Sequence, residues 1–343
     1  MTRWAVVLAG GVGSLFWPLS TPERPKQLLP LVDDAPLLRN TLDRLAPLVP
    51  AAHTLVLTNA GLVESIAALA PELPRENIIA EPRPAGTAAA LAFAAVVIEA
   101  RAGRDATMIC VHADWSVGKP EEFRRRLAEA ASTAEKHAAL VTVGIVPTRP
   151  DPGFGYIQPG EVVDGEARRV VRFVEKPTRD VAERMVRDGY FWNSGIFVWR
   201  AGDFLDDVRA HTPEVAPALA AGRDIEKFFA AAKSVSVDVG VLERSTRVMV
   251  LPGDFAWDDV GTWASLHRVR QRDAAENALS GAAHAVESSG NVVHAEHGQV
   301  VLYGVTGLVV ITQDGLTVVT TMDRAADLKK LVEALPPEVR DRR

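Results

Sequence analysis

The chain has 343 residues, is 48% hydrophobic and carries a formal net charge of −6, so it can bury one large core and a smaller one. Its acidic balance, with a pI near 5.8, argues against a nucleic-acid binder, which shows a basic face. The single cysteine, Cys110, excludes an intramolecular disulfide, and no apolar run is long enough to span a bilayer, residues 86–98 coming nearest. A cytoplasmic protein without membrane or nucleic-acid partners is expected.

The first element is the β-branched run Ala5-Val6-Val7-Leu8, which reads as a buried parallel strand. It breaks at Gly10, Gly11 and Gly13, where backbone N–H groups can approach an anion because no Cβ intervenes. Lys26, between Pro25 and Gln27, returns a cation toward that loop. A glycine loop with a lysine suits a polyphosphate. Neither the dinucleotide fingerprint nor the P-loop is present: Phe16 stands at the third glycine position of the first, and no GK[ST] closes the second.

Strand and helix patterns then alternate, which implies a largely parallel sheet. A helix is expected over 37–48, a strand over Thr54–Thr58, a helix from Leu62 to Leu69 and a short strand Ile78-Ile79-Ala80 ending at Glu81. Thr87 is placed to cap an Ala-rich helix reaching Arg101, and Thr107–Val111 is a strand leading to His112-Ala113-Asp114. A helix over 120–137 and a strand Leu140–Ile145 follow. In such sheets ligands gather at the carboxyl ends of strands, where the glycine loop, Glu81 and Asp114 all fall. An acid in that place is a turn residue or helix cap as readily as a ligand. Glu81 has one further property: a carboxylate accepts two parallel hydrogen bonds, which matches guanine's N1–H and amino donors better than uracil or thymine.

Farther on, Val170–Val174 alternates as a strand and ends at Glu175-Lys176-Pro177. Helical patterns at 203–232 and 262–272 close the first domain, placed at 1–275. From Gly290 the chain becomes short β runs, Asn291-Val292-Val293, Val300-Val301-Leu302, Leu308–Ile311 and Leu316–Val319, separated by glycines with no helix between them. These suit a small β-solenoid, and 281–343 is read as a second domain ending in an amphipathic helix, Asp323 to Leu335. Cys110 reads as a buried core thiol and His112 as structural. His284, His294 and His297 fit no common ligand spacing and are read as surface residues.

Several motifs together resemble the nucleotide-sugar pyrophosphorylases. Residues 10–20 and 25–31 follow GGxGTRLWPLS and PKQFLPL, residues 81–88 follow EPxxxNTA, and His112-Ala113-Asp114 follows PADH. Gly153–Ile157, Glu175-Lys176-Pro177, Trp192–Phe197 and Phe255–Trp263 follow GYGYI, EKP, WNSGIF and FxWxDVGxW. The likeness spans residues 1–335, in the form of the enzymes that guanylylate mannose 1-phosphate. It implies an α/β fold, a mostly parallel Rossmann-like nucleotidyltransferase sheet with helices on both faces, plus a small C-terminal left-handed β-helix domain. It implies GTP and mannose 1-phosphate as substrates, Mg²⁺ as cofactor, and a homodimer as an assembly common in the family.

The resemblance assigns roles residue by residue. The glycine loop and Lys26 would hold the triphosphate, with Asp114 and Asp259 on Mg²⁺ and Lys176 at the incoming phosphate. Asp258, next to Asp259, is the less favoured acid by alignment. Leu8, Gly10, Gly11, Gly13, Ser14 and Arg24 would contact substrate, as would Glu81, Pro84, Gly86 and Thr87 in the base-binding segment. Gly155, Glu175 and Asn193 would hold the sugar, while Asp238 and Glu243 receive only structural roles. The chain departs from the pattern at Leu15, where the family has a phosphate-contacting arginine, and at Gly86, where it has asparagine. Leu15 opens a second reading, a weakened or inactive nucleotide-sugar-binding regulatory protein in which Arg24 partly compensates. A pyrophosphorylase for another sugar or base is a third.

Overall fold

A computed structural model describes residues 1–11 and 16–340. The chain divides into two compact units that do not follow chain order. One comprises Met1–Gly10, Leu42–Ala113 and Lys119–Trp257; the other comprises Gly11–Thr41, Asp114–Gly118 and Asp258–Arg343.

The first unit is built on a nine-stranded sheet. Its strands are β1 (Arg3–Leu8), β2 (Thr54–Asn59), β3 (Ile78–Glu81), β4 (Thr107–His112), β5 (Leu140–Ile145), β6 (Tyr156–Asp164), β7 (Ala167–Val174), β8 (Phe191–Arg200) and β9 (Val248–Gly253). Their order across the sheet is β3-β2-β1-β4-β8-β5-β9-β7-β6. β1 to β4 pair in parallel, as do β5 and β9, whereas β8 runs antiparallel to β4 and β5 and β7 runs antiparallel to β9 and β6. The sheet is mostly parallel, as expected, with two reversed strands. β1, β4 and β5 are apolar on both faces because both faces are covered.

Of the first three helices, α1 (Leu37–Leu45), α2 (Val63–Leu69) and α3 (Gly86–Ala102), the third shows the same logic. It buries ten residues, from Ala88 to Ile98, around most of its circumference, so it lacks the single apolar stripe of a surface helix. Phe93 packs edge-on against Phe228 at 5.2 Å. Cys110 has no exposed surface, and burial pushes its thiol pKa well up, as a core thiol requires.

The expected helices shorten where the structure meets a breaker. The first ends at Leu45. The 203–232 segment splits into Ala201–His211, a 3-10 stretch Ala216–Ala221, and Ile225–Ala231, because Pro213, Pro217 and Gly222 interrupt it. The 262–272 pattern is a 3-10 turn and a four-residue helix, Leu266–Val269. Thr87 is not a cap: it lies inside the first turn of α3, and its hydroxyl accepts from Val237 N–H at 2.9 Å.

The second unit carries a β-helix-like sheet of β10 (Ala278–Val286), β11 (Val292–Tyr303), β12 (Leu308–Gln313) and β13 (Leu316–Thr321), with β10 to β12 parallel and β13 antiparallel. The two short runs read at 291–293 and 300–302 form one strand, whose pairing with β10 shifts register between Gly281 and Ala283. Residues Phe16, Leu19, Leu29, Leu31 and Leu37 share a core with Trp263, Val292, Val309 and Ile311. Trp263 is central to that core, packing against the Phe16 ring at 5.2 Å and donating its Nε1–H to the Trp17 carbonyl at 3.0 Å. The segment that bears Lys26 is thereby packed by the β-helix-like domain.

One histidine departs from its expected place. His284 and His297 are exposed, but His294 is buried, with Nδ1 3.0 Å from Arg270 Nη2. Burial and the nearby Arg270 and Arg24 lower its pKa to about 4, so it is neutral at pH 7. Arg270 also donates to the carbonyls of Leu31 and Val293, which ties the lysine-bearing segment to β11. Nothing in the local pattern of a β run distinguishes such a histidine from an exposed one.

Candidate active site

Within the second unit, three segments distant in sequence meet at one ammonium group. Pro25 fixes the entry to the short turn Lys26–Leu28, and Lys26 is 8% exposed. Its Nζ donates to Asp114 Oδ2 at 3.0 Å and to the Asp259 carbonyl at 2.6 Å. Gln27 donates to the Gly11 carbonyl at 3.0 Å, which fastens the start of the glycine loop to the same turn. The sequence-predicted residues Lys26, Asp114, Asp259 and Gly11 are thus brought together. Gly13 and Ser14 lie outside the described residues, as does Leu15.

The geometry also separates Asp259 from its neighbour. Asp258 is 6% exposed; Arg268 grips both its oxygens, at 2.7 and 3.1 Å, and its Oδ1 accepts from Val260 N–H at 2.9 Å. Val260, a β-branched residue, is held at φ +49°, a conformation that persists only when surroundings enforce it. Asp258 is therefore spent on shaping the turn that carries Asp259. The motifs alone give Asp258 no such role, and the ten-residue spacing to Arg268 offers no local signal. Arg24 pairs with Glu296 at 3.2 Å, on β11.

Within the first unit, parallel pairing brings the carboxyl ends of β1, β2, β3 and β4 to one edge: Leu8 is level with Leu57 and His112, and Asn59 with Glu81. A Cβ on Gly10 would lie 3.6 Å from Glu81 Oε1, so the glycine loop begins beside that carboxyl. Glu81 is half-buried, and its side chain has no hydrogen-bond or ion-pair partner among the described residues. Burial raises its pKa to about 7. Pro84 is exposed, and Arg83 beside it donates to the carbonyls of Phe229 and Ala232.

Gly86 opens α3 at φ +79°, and any Cβ there would be driven into the Val235 carbonyl, which accepts from Ala88 N–H at 3.2 Å. With Thr87 holding Val237 N–H, the helix start clasps residues 235–237. Gly86→Ala is expected to destabilise the protein by about 2–4 kcal/mol, the sum of a left-handed Cβ and an overpacked contact, seen as a lower urea midpoint.

The sugar motifs meet in the same unit. A Cβ on Gly155 would lie 2.7 Å from Glu175 Oε2 and 3.5 Å from Asn193 Cβ, so only glycine lets the three approach. Asn193 N–H donates to the Gly155 carbonyl at 2.8 Å, and its Nδ2 donates to Asp238 Oδ1 at 2.7 Å. Lys176 stands 3.6 Å from Glu175 and adopts φ +41°, although it precedes Pro177, a position that ordinarily takes extended backbone. Such strain concentrates at functional residues. Sequence reasoning gives Asp238 only a structural role; the signal available was its place in the matching stretch Ser236-Val237-Asp238.

These features define a nucleotidyltransferase sheet with a β-helix-like extension. The nucleotidyl transferase family model matches residues 4–276, and the MannoseP isomerase/GMP-like beta-helix domain matches residues 281–335. A mannose-1-phosphate guanylyltransferase of Escherichia coli K12 is 35% identical over 98% of this chain and 74% of its own length. One from Salmonella muenchen is 34% identical over 96% and 72%. A crystal structure from Thermus thermophilus, described as a mannose-1-phosphate geranyltransferase, superposes with a TM-score of 0.89 at 37% identity, covering 97% of this chain and 99% of that one. The chain belongs to the nucleotidyl transferase family, among the mannose-1-phosphate guanylyltransferases. No described helix is long and apolar enough to cross a membrane.

Proposed function

We propose that this protein transfers GMP from GTP to mannose 1-phosphate, releasing pyrophosphate and GDP-mannose, in the cytoplasm. The observation that carries this reading is the convergence of Asp114 and Asp259 on Lys26 Nζ. An oxygen of the sugar phosphate attacks the α-phosphorus in line, the bond from that phosphorus to the β-bridging oxygen breaks, and pyrophosphate leaves. No general base is required, because the phosphate dianion is already a nucleophile. The protein's task is positioning and charge stabilisation.

Lys26 and the glycine loop, with Gly10, Gly11, Gly13 and Ser14, bind the triphosphate. Lys176 takes the phosphate of the incoming sugar, and Glu175, Asn193 and Gly155 hold its hydroxyls. Asp114 and Asp259 fit a magnesium ion by donor type: the Asp114 carboxylate and the Asp259 main-chain carbonyl are hard oxygens beside one ammonium, and Asp258 is already taken by Arg268. Phosphate oxygens of the triphosphate would complete the shell. Bound there, Mg²⁺ would neutralise charge on the triphosphate.

Glu81 reads guanine through two parallel hydrogen bonds, which requires the ionised form. Its carboxyl ionises as pH rises through about 7, so GDP-mannose should bind more tightly at pH 8 than at pH 6. GDP-mannose is the ligand of choice because its diphosphate diester does not titrate in that range. Glu81→Gln should weaken binding roughly 10-fold or more and flatten the pH dependence. Calorimetric titration at the two pH values checks this, and an unchanged pH dependence in the variant would remove Glu81 from the base site.

A further inference from the structure

The sugar motifs predict Asn193 as the residue that reads the sugar, yet its carboxamide is already engaged within the protein. Nδ2 donates to Asp238 Oδ1 at 2.7 Å, and Oδ1 accepts from Gly195 N–H at 3.3 Å. Asn193 is therefore oriented by its neighbours, with one amide N–H and one lone pair of Oδ1 left for a sugar hydroxyl. The group behind it is a carboxylate.

Asp238 is half-buried and opens a π-helical turn, Asp238–Leu242, in which Glu243 N–H reaches back to the Asp238 carbonyl at 2.8 Å. Wide turns of this kind are uncommon and recur at functional sites. Its entry is fixed from the other side by Thr87 and α3, so Asp238 is held between the base-binding segment and Asn193. Glu175 is part of the same neighbourhood: the Glu243 pKa is raised by burial, by Asp238 and by Glu175. Glu175 and Asn193 thus flank the Gly155 backbone, with Asp238 next in the row behind Asn193 and Lys176 beside Glu175.

We propose that Asp238 is a specificity-determining residue for the sugar: one carboxylate oxygen locks the Asn193 carboxamide, and the other accepts a sugar hydroxyl. The chemistry is consistent along the row. Neutral vicinal hydroxyls are donors that suit paired carboxylate acceptors, whereas the phosphate of the same substrate is repelled by them and directed to Lys176. This inference rests on the sugar-phosphate reading of the Glu175–Asn193 group.

The test compares GDP-mannose with GDP, which lacks the sugar, on the wild type and on Asp238→Asn and Asp238→Ser. Both variants should lose roughly 10-fold in affinity for GDP-mannose while their affinity for GDP stays within about twofold. The thermal midpoint should not move for Asp238→Asn, and in turnover the KM for mannose 1-phosphate should rise while that for GTP does not. Equal changes for the two ligands, or none, would overturn the role of Asp238. A wild type that binds GDP-mannose no better than GDP would instead remove the sugar reading itself, and the proposal with it.

Discussion

Replacing Lys26 with methionine should lower kcat about 10²–10³-fold, with a smaller change in KM for GTP. Methionine keeps the buried stem but deletes the ammonium that joins Asp114 to the Asp259 carbonyl. An ammonium placed to meet charge on the departing pyrophosphate is worth more in the transition state than in the ground state, so the loss should fall on kcat. The fold should survive, because the Asp114 side chain is 35% exposed and water can solvate it when the lysine is gone. Pyrophosphate release followed by a coupled assay checks the rate, and circular dichroism the fold. A kcat within about threefold of wild type would contradict the role of Lys26.

Leu15→Arg should raise kcat by about 10², the value of one restored donor to the phosphates. The basis is chemical: leucine has no donor, and the pyrophosphorylase pattern has an arginine at this place in the glycine loop. Lys26, Lys176 and both aspartates are retained, so the wild type should turn over slowly rather than not at all. If Leu15→Arg leaves the rate unchanged, charge must come from elsewhere. Arg24 is then the candidate, and Arg24→Ala should abolish the residual turnover. To reach substrate, Arg24 would have to leave Glu296, with which it pairs at 3.2 Å.

Much of this was legible in the sequence because its signals are local. β1 to β5 each contain a compact apolar run, and the glycine loop and Lys26 lie close together in the chain. What could not be read depends on contacts between distant segments. β8 begins in the motif Trp192–Phe197 but gives no sign of inserting antiparallel between β4 and β5. The choice of Asp259 over Asp258 becomes physical only once Arg268 is seen gripping Asp258. Gly86 looks like a loss against the family asparagine, yet the Val235 carbonyl stands where its side chain would begin. His294 is buried where Arg270 crosses from Leu31 to β11 and the Trp263 ring packs against it.

Guanylyl transfer to mannose 1-phosphate can be followed through both of its products. The most direct measurement supplies the protein with Mg²⁺, mannose 1-phosphate and GTP, UTP or dTTP in turn, and quantifies pyrophosphate and nucleotide sugar. GDP-mannose formed in step with pyrophosphate, with GTP well ahead of the other two, is the predicted result. UTP or dTTP outrunning GTP would contradict the reading of Glu81. No product from any nucleotide, with GDP-mannose still bound, would contradict the enzyme and leave a nucleotide-sugar-binding regulator.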